Sequence, residues 1–170
     1  MRWLVDGYNV IRRAPELASR ERESLQAGRE ALCRLLATAA RLSGDQFTIV
    51  FDGTRGGGSV AGGAGVRVIF SSARETADQV LARLATAGVA VVSNDREVRQ
   101  AAQRARSISI ATDEFLARVR RRSGRAVSDK DEDEDTRPAI KKGNPRRLPK
   151  KARAAARALR RLDRPFNKSP

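Results

Sequence analysis

The sequence predicts an α/β protein whose central, mostly parallel sheet has about five strands and is covered by helices on both faces. Two observations support this prediction. Short, almost wholly apolar segments alternate along the chain with longer segments of helical periodicity. The apolar segments also lack a polar face, which is typical of strands in parallel sheets because both faces of such sheets are buried.

The predicted strands are short and end at polar or turn-forming residues. They occupy residues 2–5, 46–51, 66–70, 89–92 and 107–111. The predicted helices lie within 16–42, over 76–87 and 96–106, and from Thr112 onward. Gly44 and Gly88 follow two of these helices and are plausible stops. Thr112 is a plausible N-cap, with Glu114 in the first turn.

Charge divides the chain into a domain and an appendage. Residues 1–115 hold 16 Arg against 13 Asp and Glu, whereas residues 116–170 hold 19 Lys and Arg against 7 acids. We therefore predict a domain over 1–122, a disordered charged linker over 123–148, a basic amphipathic helix over 149–162 and a disordered terminus over 163–170. The helix is predicted to bind nucleic acid through Lys150, Lys151, Arg153, Arg157, Arg160 and Arg161. A solvated tail of no specific function is the alternative.

Composition limits the chemistry and suggests the partner. The chain has 170 residues, a net charge of +15 and a sequence pI of about 11.4, which favours a polyanionic partner such as nucleic acid. Histidine is absent, so every mechanism that needs an imidazole is excluded. The single cysteine, Cys33, builds neither a disulfide nor a zinc site, and we expect it in the core. No signal peptide or membrane span is visible, so a cytoplasmic location is expected.

A glycine-rich segment over 54–65 resembles phosphate-binding loops only superficially. It lacks the Gly-Lys-Ser/Thr ending of a P-loop, and it leads into a strand rather than a helix. We predict a mobile loop there, beside the ligand-binding edge of the sheet, with Arg55 contacting a nucleic-acid backbone.

Acidic residues follow several of the predicted strands. Asp6, Asp52 and Asp95 come at or just after strand ends, and Glu75 and Asp78 are predicted to share one face of a helix's first turn. In open parallel sheets the carboxyl ends of the strands line the ligand crevice, so these carboxylates should converge. Each has a structural interpretation as a turn residue or a helix cap. Together they predict a site for Mg²⁺ or Mn²⁺, which relieves the repulsion between carboxylates and suits phosphodiester hydrolysis.

Four short motifs, in order at these strand ends, resemble those of the NYN domains, in particular the YacP-like branch of the PIN-like nuclease superfamily. They are Asp6-Gly7-Tyr8-Asn9, Phe51-Asp52-Gly53, Glu75-Thr76-Ala77-Asp78 and Ser93-Asn94-Asp95, and the resemblance covers roughly residues 1–120. It implies a PIN-like three-layer α/β/α sandwich. It also implies a metal-dependent endoribonuclease in which Asp6, Asp78 and Asp95 surround Mg²⁺, Asn9 and Glu75 assist, and Asp52 has a less defined role.

Characterised YacP-like proteins cleave mRNA at the ribosome, so the resemblance implies RNA, and mRNA on the ribosome, as partners. Arginines near the motifs in sequence are candidates for binding the flanking phosphates: Arg12, Arg13, Arg55, Arg74 and Arg96. A non-catalytic RNA- or ribosome-binding protein with a vestigial nuclease site is the main alternative. A DNA-directed or toxin-type nuclease also stays open, as does the role of Tyr8.

Overall fold

A computed structural model describes residues 1–53, 58–128 and 149–163. Its strands are β1 (Arg2–Asp6), β2 (Gln46–Phe51), β3 (Gly58–Gly63), β4 (Val66–Phe70), β5 (Ala90–Val92) and β6 (Ile108–Ile110). Its helices are α1 (Gly7–Arg13), α2 (Pro15–Glu23), α3 (Leu25–Ser43), α4 (Ala77–Leu84), α5 (Arg96–Arg104), α6 (Thr112–Ser128) and α7 (Lys150–Leu162).

The strands form one six-stranded sheet in the order β3-β4-β2-β1-β5-β6. Every pairing is parallel except that of β3 with β4. β1 lies between β2 and β5, with Asp6 opposite Val50 and Val5 opposite Val92. The carboxyl ends of these three strands therefore meet at one edge of the sheet, as the sequence predicts.

The alternation of side chains along each strand builds two separate apolar layers. Trp3 and Val5 of β1 face the larger layer, which includes residues of α1, α2, α3, α6 and α7. Leu4, between them, faces the smaller layer, which includes residues of α4 and α5. Helices thus cover both faces of the sheet, and the predicted mostly parallel α/β/α sandwich is confirmed.

Three local predictions need correction. The interpretation of Asp6 as a turn residue is wrong, because Asp6 is the N-cap of α1, which begins at Gly7. The helix expected within 16–42 is divided at Ser24, an extended residue whose hydroxyl caps α3 by accepting from the Ala27 N–H at 3.0 Å. Part of the glycine-rich segment forms an edge strand, β3, so the mobile-loop prediction is wrong for residues 58–63. Arg55 lies outside the described residues.

The predicted basic helix is present as α7, and its apolar side is part of the larger core. Ala158, Leu159 and Leu162 are at most 6% exposed and pack with residues of α6. Arg122 of α6 fixes the end of α7, because its guanidinium donates to the carbonyl oxygens of Leu162 and Leu42, near the ends of α7 and α3. A cation at these positions complements the negative ends of both helix dipoles. Residues 123–128 of the predicted linker belong to α6.

Candidate active site

Asp6 is the centre of the candidate site, at the end of the middle strand. Its Oδ1 accepts from the Asn9 N–H at 3.2 Å, and its Oδ2 accepts from the Ser93 hydroxyl at 2.8 Å. Burial raises the pKa of Asp6, and the nearby charge of Asp95 raises it further, while the two hydrogen bonds and Arg12 oppose this shift. Asp6 is thus a rigidly held carboxylate in an environment that disfavours its charge unless a cation is present.

Ser93 links Asp6 to Asp95. Its fully buried hydroxyl donates to Asp6 and accepts from the Asp95 N–H at 3.0 Å. Asp95 Oδ1 in turn caps α5 by accepting from the N–H groups of Glu97 and Val98, at 2.7 and 3.0 Å. The N-cap interpretation of Asp95 is therefore correct, and it leaves Asp95 Oδ2 without a hydrogen-bond partner among the described residues. The second oxygen is available for a ligand.

Asn9 joins three distant segments behind the carboxylates. Its Oδ1 accepts from the Asn94 N–H at 3.1 Å and from the Thr112 hydroxyl at 2.8 Å. Asn94 Oδ1 then accepts from the Thr112 N–H at 3.0 Å, and its Nδ2 donates to Asp113 at 3.1 Å. Asn9 therefore positions the site instead of facing the ligand with its oxygen. A hydrogen bond does join Asn9 to Asp6, but the Asn9 backbone N–H donates it and the side chain takes no part.

Asp78 and Asp52 complete the acidic group. Burial raises the pKa of Asp78, and the charges of Asp95, Asp6, Glu97 and Asp52 each raise it further, in that order. The negative charges of these carboxylates therefore disfavour the ionisation of Asp78, which is the behaviour that the predicted acidic crevice requires. Asp52 Oδ1 accepts from the Ser71 hydroxyl at 2.6 Å, and Ser71 also accepts from the Gly53 N–H at 2.9 Å.

Glu75 does not belong to this group. α4 begins at Ala77 with a capping box between Thr76 and Gln79, so Glu75 precedes the helix and shares no face of its first turn with Asp78. Its carboxylate makes two hydrogen bonds to the Arg83 guanidinium, at 2.7 and 2.9 Å, which lower the pKa of Glu75. The structure thus gives Glu75 a pairing role on α4, and the prediction of a shared face is wrong.

The candidate phosphate-binding arginines differ in their relation to the crevice. Arg12 is exposed, lies 5.5 Å above the Tyr8 ring, and its charge lowers the pKa of Asp6. Arg13, Arg74 and Arg96 are exposed, and within the described residues none of them forms a hydrogen bond or ion pair with the acidic group. Arg29, which no sequence motif marks, lies beside Tyr8 and donates to its hydroxyl at 2.9 Å.

The residues present fit a hard divalent cation in chemistry and charge. The donors are carboxylate oxygens, and the repulsion among Asp6, Asp78 and Asp95 is relieved by a cation. Within the described residues, no three acidic or cysteine side chains are grouped closely enough to ligate one ion together. This arrangement suits Mg²⁺, which commonly binds one or two carboxylates and keeps water or phosphate oxygens as its other ligands.

No helix within the described ranges is both long enough and apolar enough to span a bilayer. Comparison with known proteins shows that residues 3–161 match the family model of the YacP-like NYN domain. The match continues past the range of roughly 1–120 that the motifs cover, and it includes nearly all of α7.

One curated relative is the uncharacterized protein YacP of Bacillus subtilis (strain 168), which is 34% identical over 86 residues. That match covers 49% of this chain and 51% of the relative, so the chain spans about half the length of the curated relative it matches.

Two crystal structures of Rae1 (YacP) from Bacillus subtilis share the fold. One, of a point mutant, has a TM-score of 0.63 at 26% identity, over 73% of this chain and 77% of that one. The other has a TM-score of 0.60 at 24% identity, over 76% and 79% of the two chains, and supports the fold alone. Because the family model spans nearly the whole chain, the protein belongs to the YacP-like NYN domain family, within the PIN-like nuclease superfamily.

Proposed function

We propose that this protein is a metal-dependent endoribonuclease that hydrolyses phosphodiester bonds of RNA. The observation that carries the proposal is the position of Asp6 and Asp95 at the carboxyl edge of the sheet, where the Ser93 hydroxyl hydrogen-bonds to both residues. Carboxylates without a cation destabilise a fold, so their assembly at a ligand-binding edge favours a function that needs them. Membership of a nuclease superfamily supports the same reaction class.

Asp6 and Asp95 would hold Mg²⁺ or Mn²⁺. Asp78, the third ligand that the resemblance implies, would instead complete the negative wall of the crevice, because no three carboxylates of the described residues are close enough to ligate one ion together. When bound, such a cation lowers the pKa of a bound water and compensates charge on the phosphate. Ser93 fixes the spacing of Asp6 and Asp95 through one hydroxyl. Asn9 holds the loop of Asn94 against α6, so that Asp95 stays beside Asp6. Asp52, held by Ser71, adds negative charge to the crevice.

RNA, and mRNA in particular, is the proposed substrate, with the ribosome as a proposed partner and the cytoplasm as the proposed location. A net charge of +15 supports a polyanionic partner. The exposed side of α7 supplies part of that charge, through Lys150, Lys151, Arg153, Arg157, Arg160 and Arg161. Lys151 also donates to Gln103 at 2.8 Å, which links α7 to α5.

The basic surface of α7 also favours a second candidate function, that of a non-catalytic RNA- or ribosome-binding protein. The two candidates differ in one measurable property. The proposed nuclease would cleave RNA only when a divalent cation is present and the carboxylates are intact. A non-catalytic binding protein would bind RNA equally well without the cation or the carboxylates.

The test is a cleavage assay on mRNA, free and on ribosomes, with Mg²⁺, Mn²⁺ or EDTA. Asp78→Asn and Asp6→Asn should abolish cleavage, and the control Glu23→Gln, at an exposed position of α2, should cleave like the wild type. Tight RNA binding without cleavage under any of these conditions would refute the nuclease proposal. Cleavage that survives in both aspartate variants would move the reaction to a different site.

A further inference from the structure

Arg29 is a half-buried cation that the proposed reaction does not use. Its Nε donates to the Tyr8 hydroxyl at 2.9 Å, and a second N–H of the guanidinium donates to the same oxygen. Its Cζ lies 5.5 Å from the ring centre of Tyr8, 5.6 Å from that of Phe51 and 5.2 Å from that of Phe70. Within the parts of the chain that are described, no carboxylate forms an ion pair with Arg29. A guanidinium that is held on aromatic rings and has no anionic partner is suited to stacking against a bound ligand.

Arg29 lies at a pocket between α3 and the β3–β4 pair. The pocket has a volume of about 460 Å³, within the usual range of small-molecule sites. Phe51, Phe70, Cys33 and Ala37 give it an apolar lining, and Gly62 and its neighbour in β3 present no side chain that would fill it. Polar groups stand at one side, where Gln26 Nε2 donates to Glu30 at 2.8 Å. The pocket therefore suits a flat, largely apolar group with a polar edge.

The pocket and the acidic crevice share a wall. Phe51 directly precedes Asp52, and its ring packs so closely on Gly7, next to Asp6, that a Cβ there would lie 2.3 Å from a ring carbon. The rings of Phe51 and Tyr8 are 5.2 Å apart, in an edge-to-face arrangement. A nucleic-acid strand lying in the crevice would therefore place a neighbouring nucleotide beside Arg29.

We propose that this pocket binds one unpaired nucleobase of the RNA strand, adjacent to the cleaved bond, with the base stacked on the Arg29 guanidinium. The proposal rests on the proposed nuclease function and adds a subsite to it. Guanidinium planes and aromatic rings are the groups on which proteins stack single-stranded bases. A phosphate fits less well, because two Arg29 donors are already engaged by Tyr8, Arg34 in the lining is paired with Glu30, and most of the lining is apolar. Gln26 and Glu30 offer a donor and acceptors to the edge of the base.

The first test measures binding separately from cleavage. Full-length Asp78→Asn protein is titrated, by fluorescence anisotropy, with short labelled oligoribonucleotides that each carry one abasic site at a different position. An abasic site at one of these positions should lower the affinity about tenfold, which is the typical effect of losing one stacked base. Adding Arg29→Gln should make all positions equivalent, whereas the control Arg41→Gln, exposed on the same helix, should keep the dependence. The same affinity at every abasic position, or equal behaviour of the Arg29 and Arg41 variants, would overturn the proposal.

A second test needs no substitution, so it does not depend on how a variant folds. Cys33 is the only cysteine of the chain and lines the pocket, half-buried. A saturating oligoribonucleotide should slow maleimide labelling of the wild-type thiol, read by intact mass spectrometry, and the oligonucleotide with the critical abasic site should protect it much less. An unchanged labelling rate at saturation would overturn the subsite.

The two proposals can fail separately. The subsite alone would be refuted if the wild type cleaves RNA, the affinity does not depend on the position of the abasic site, and the oligonucleotide does not protect Cys33. Position-dependent binding and protection without cleavage in Mg²⁺ or Mn²⁺ would keep the subsite and refute the nuclease. Failure of every oligonucleotide to bind would overturn both.

Discussion

Replacing Leu162 with alanine tests whether α7 is part of the folded domain. The Leu162 side chain is 1% exposed and belongs to the larger core, so its truncation leaves a cavity that the ends of α3 and α6 must partly fill. Buried Leu→Ala changes typically cost about 2–5 kcal/mol. Arg122 contacts the Leu162 carbonyl and not its side chain, so that hydrogen bond survives, and we expect a value near 3 kcal/mol. For a chain of this size that corresponds to a fall in Tm of about 6–12 °C.

Urea and thermal unfolding followed by circular dichroism measure the change. Arg157→Ala is the matched control, since Arg157 is exposed on the same helix and should change the free energy of unfolding by less than about 0.5 kcal/mol. A Leu162→Ala protein as stable as this control would refute the docking of α7. A lower Tm with two separate transitions would show instead that α7 unfolds independently of the sheet.

Three further predictions concern the site. In metal-free protein near pH 7, Asp6→Asn should unfold at a higher temperature than the wild type, because burial raises the pKa of Asp6 and folding then opposes its ionisation. The wild type loses stability as the pH rises from the ordinary carboxyl pKa of 3.8 through the raised pKa of Asp6 in the folded protein. The difference in Tm between Asp6→Asn and the wild type should therefore vanish below pH 3.8. Calorimetry across pH measures this difference, and a difference that does not change with pH would contradict the reasoning. Asn9→Ala should reduce cleavage by about 10–100-fold, since Asn94 and Thr112 lose their shared acceptor, and single-turnover rates at wild-type level would contradict this. Glu75→Gln should leave cleavage rates close to wild type, because Glu75 pairs with Arg83 on the surface; a loss as complete as that of Asp78→Asn would return Glu75 to the site.

The sheet and its acidic edge could be predicted because they depend on local patterns. Apolar runs mark β1, β2, β4 and β5 directly, and an acid at the end of a parallel strand lies at the ligand edge whatever the rest of the fold does. The glycine-rich strand β3 could not be predicted, because glycine carries no side chain and so no alternation of polarity. The place of Glu75 was missed because the Thr76 capping box starts α4 after Glu75 and so shifts the helical phase.

The supporting residues could not be predicted because their contacts join distant segments. Asn94 lies within a recognised motif, but only the fold shows that its backbone donates to Asn9. In the sequence, nothing distinguishes Arg29 from the other arginines of the predicted helices. Its contacts with Tyr8 and Phe70 come from the packing of α3 on the β3–β4 pair. The sequence predicts that α7 has an apolar side, but it does not predict that this side packs into the larger core of the domain.

The residues that hydrogen-bond around Asn9 are far apart in sequence, and this affects when the site can form during synthesis of the chain. Asn9 and Thr112 are 103 positions apart, and Asp6 and Ser93 are 87 apart, so no short stretch of the chain contains a complete site. During synthesis the carboxylates can be brought into register only after the polypeptide has been made through Thr112 and the sheet has closed. Partly made chains and proteolytic fragments that lack either segment should therefore be unable to cleave RNA, so that any cleaving activity is confined to molecules that have finished folding.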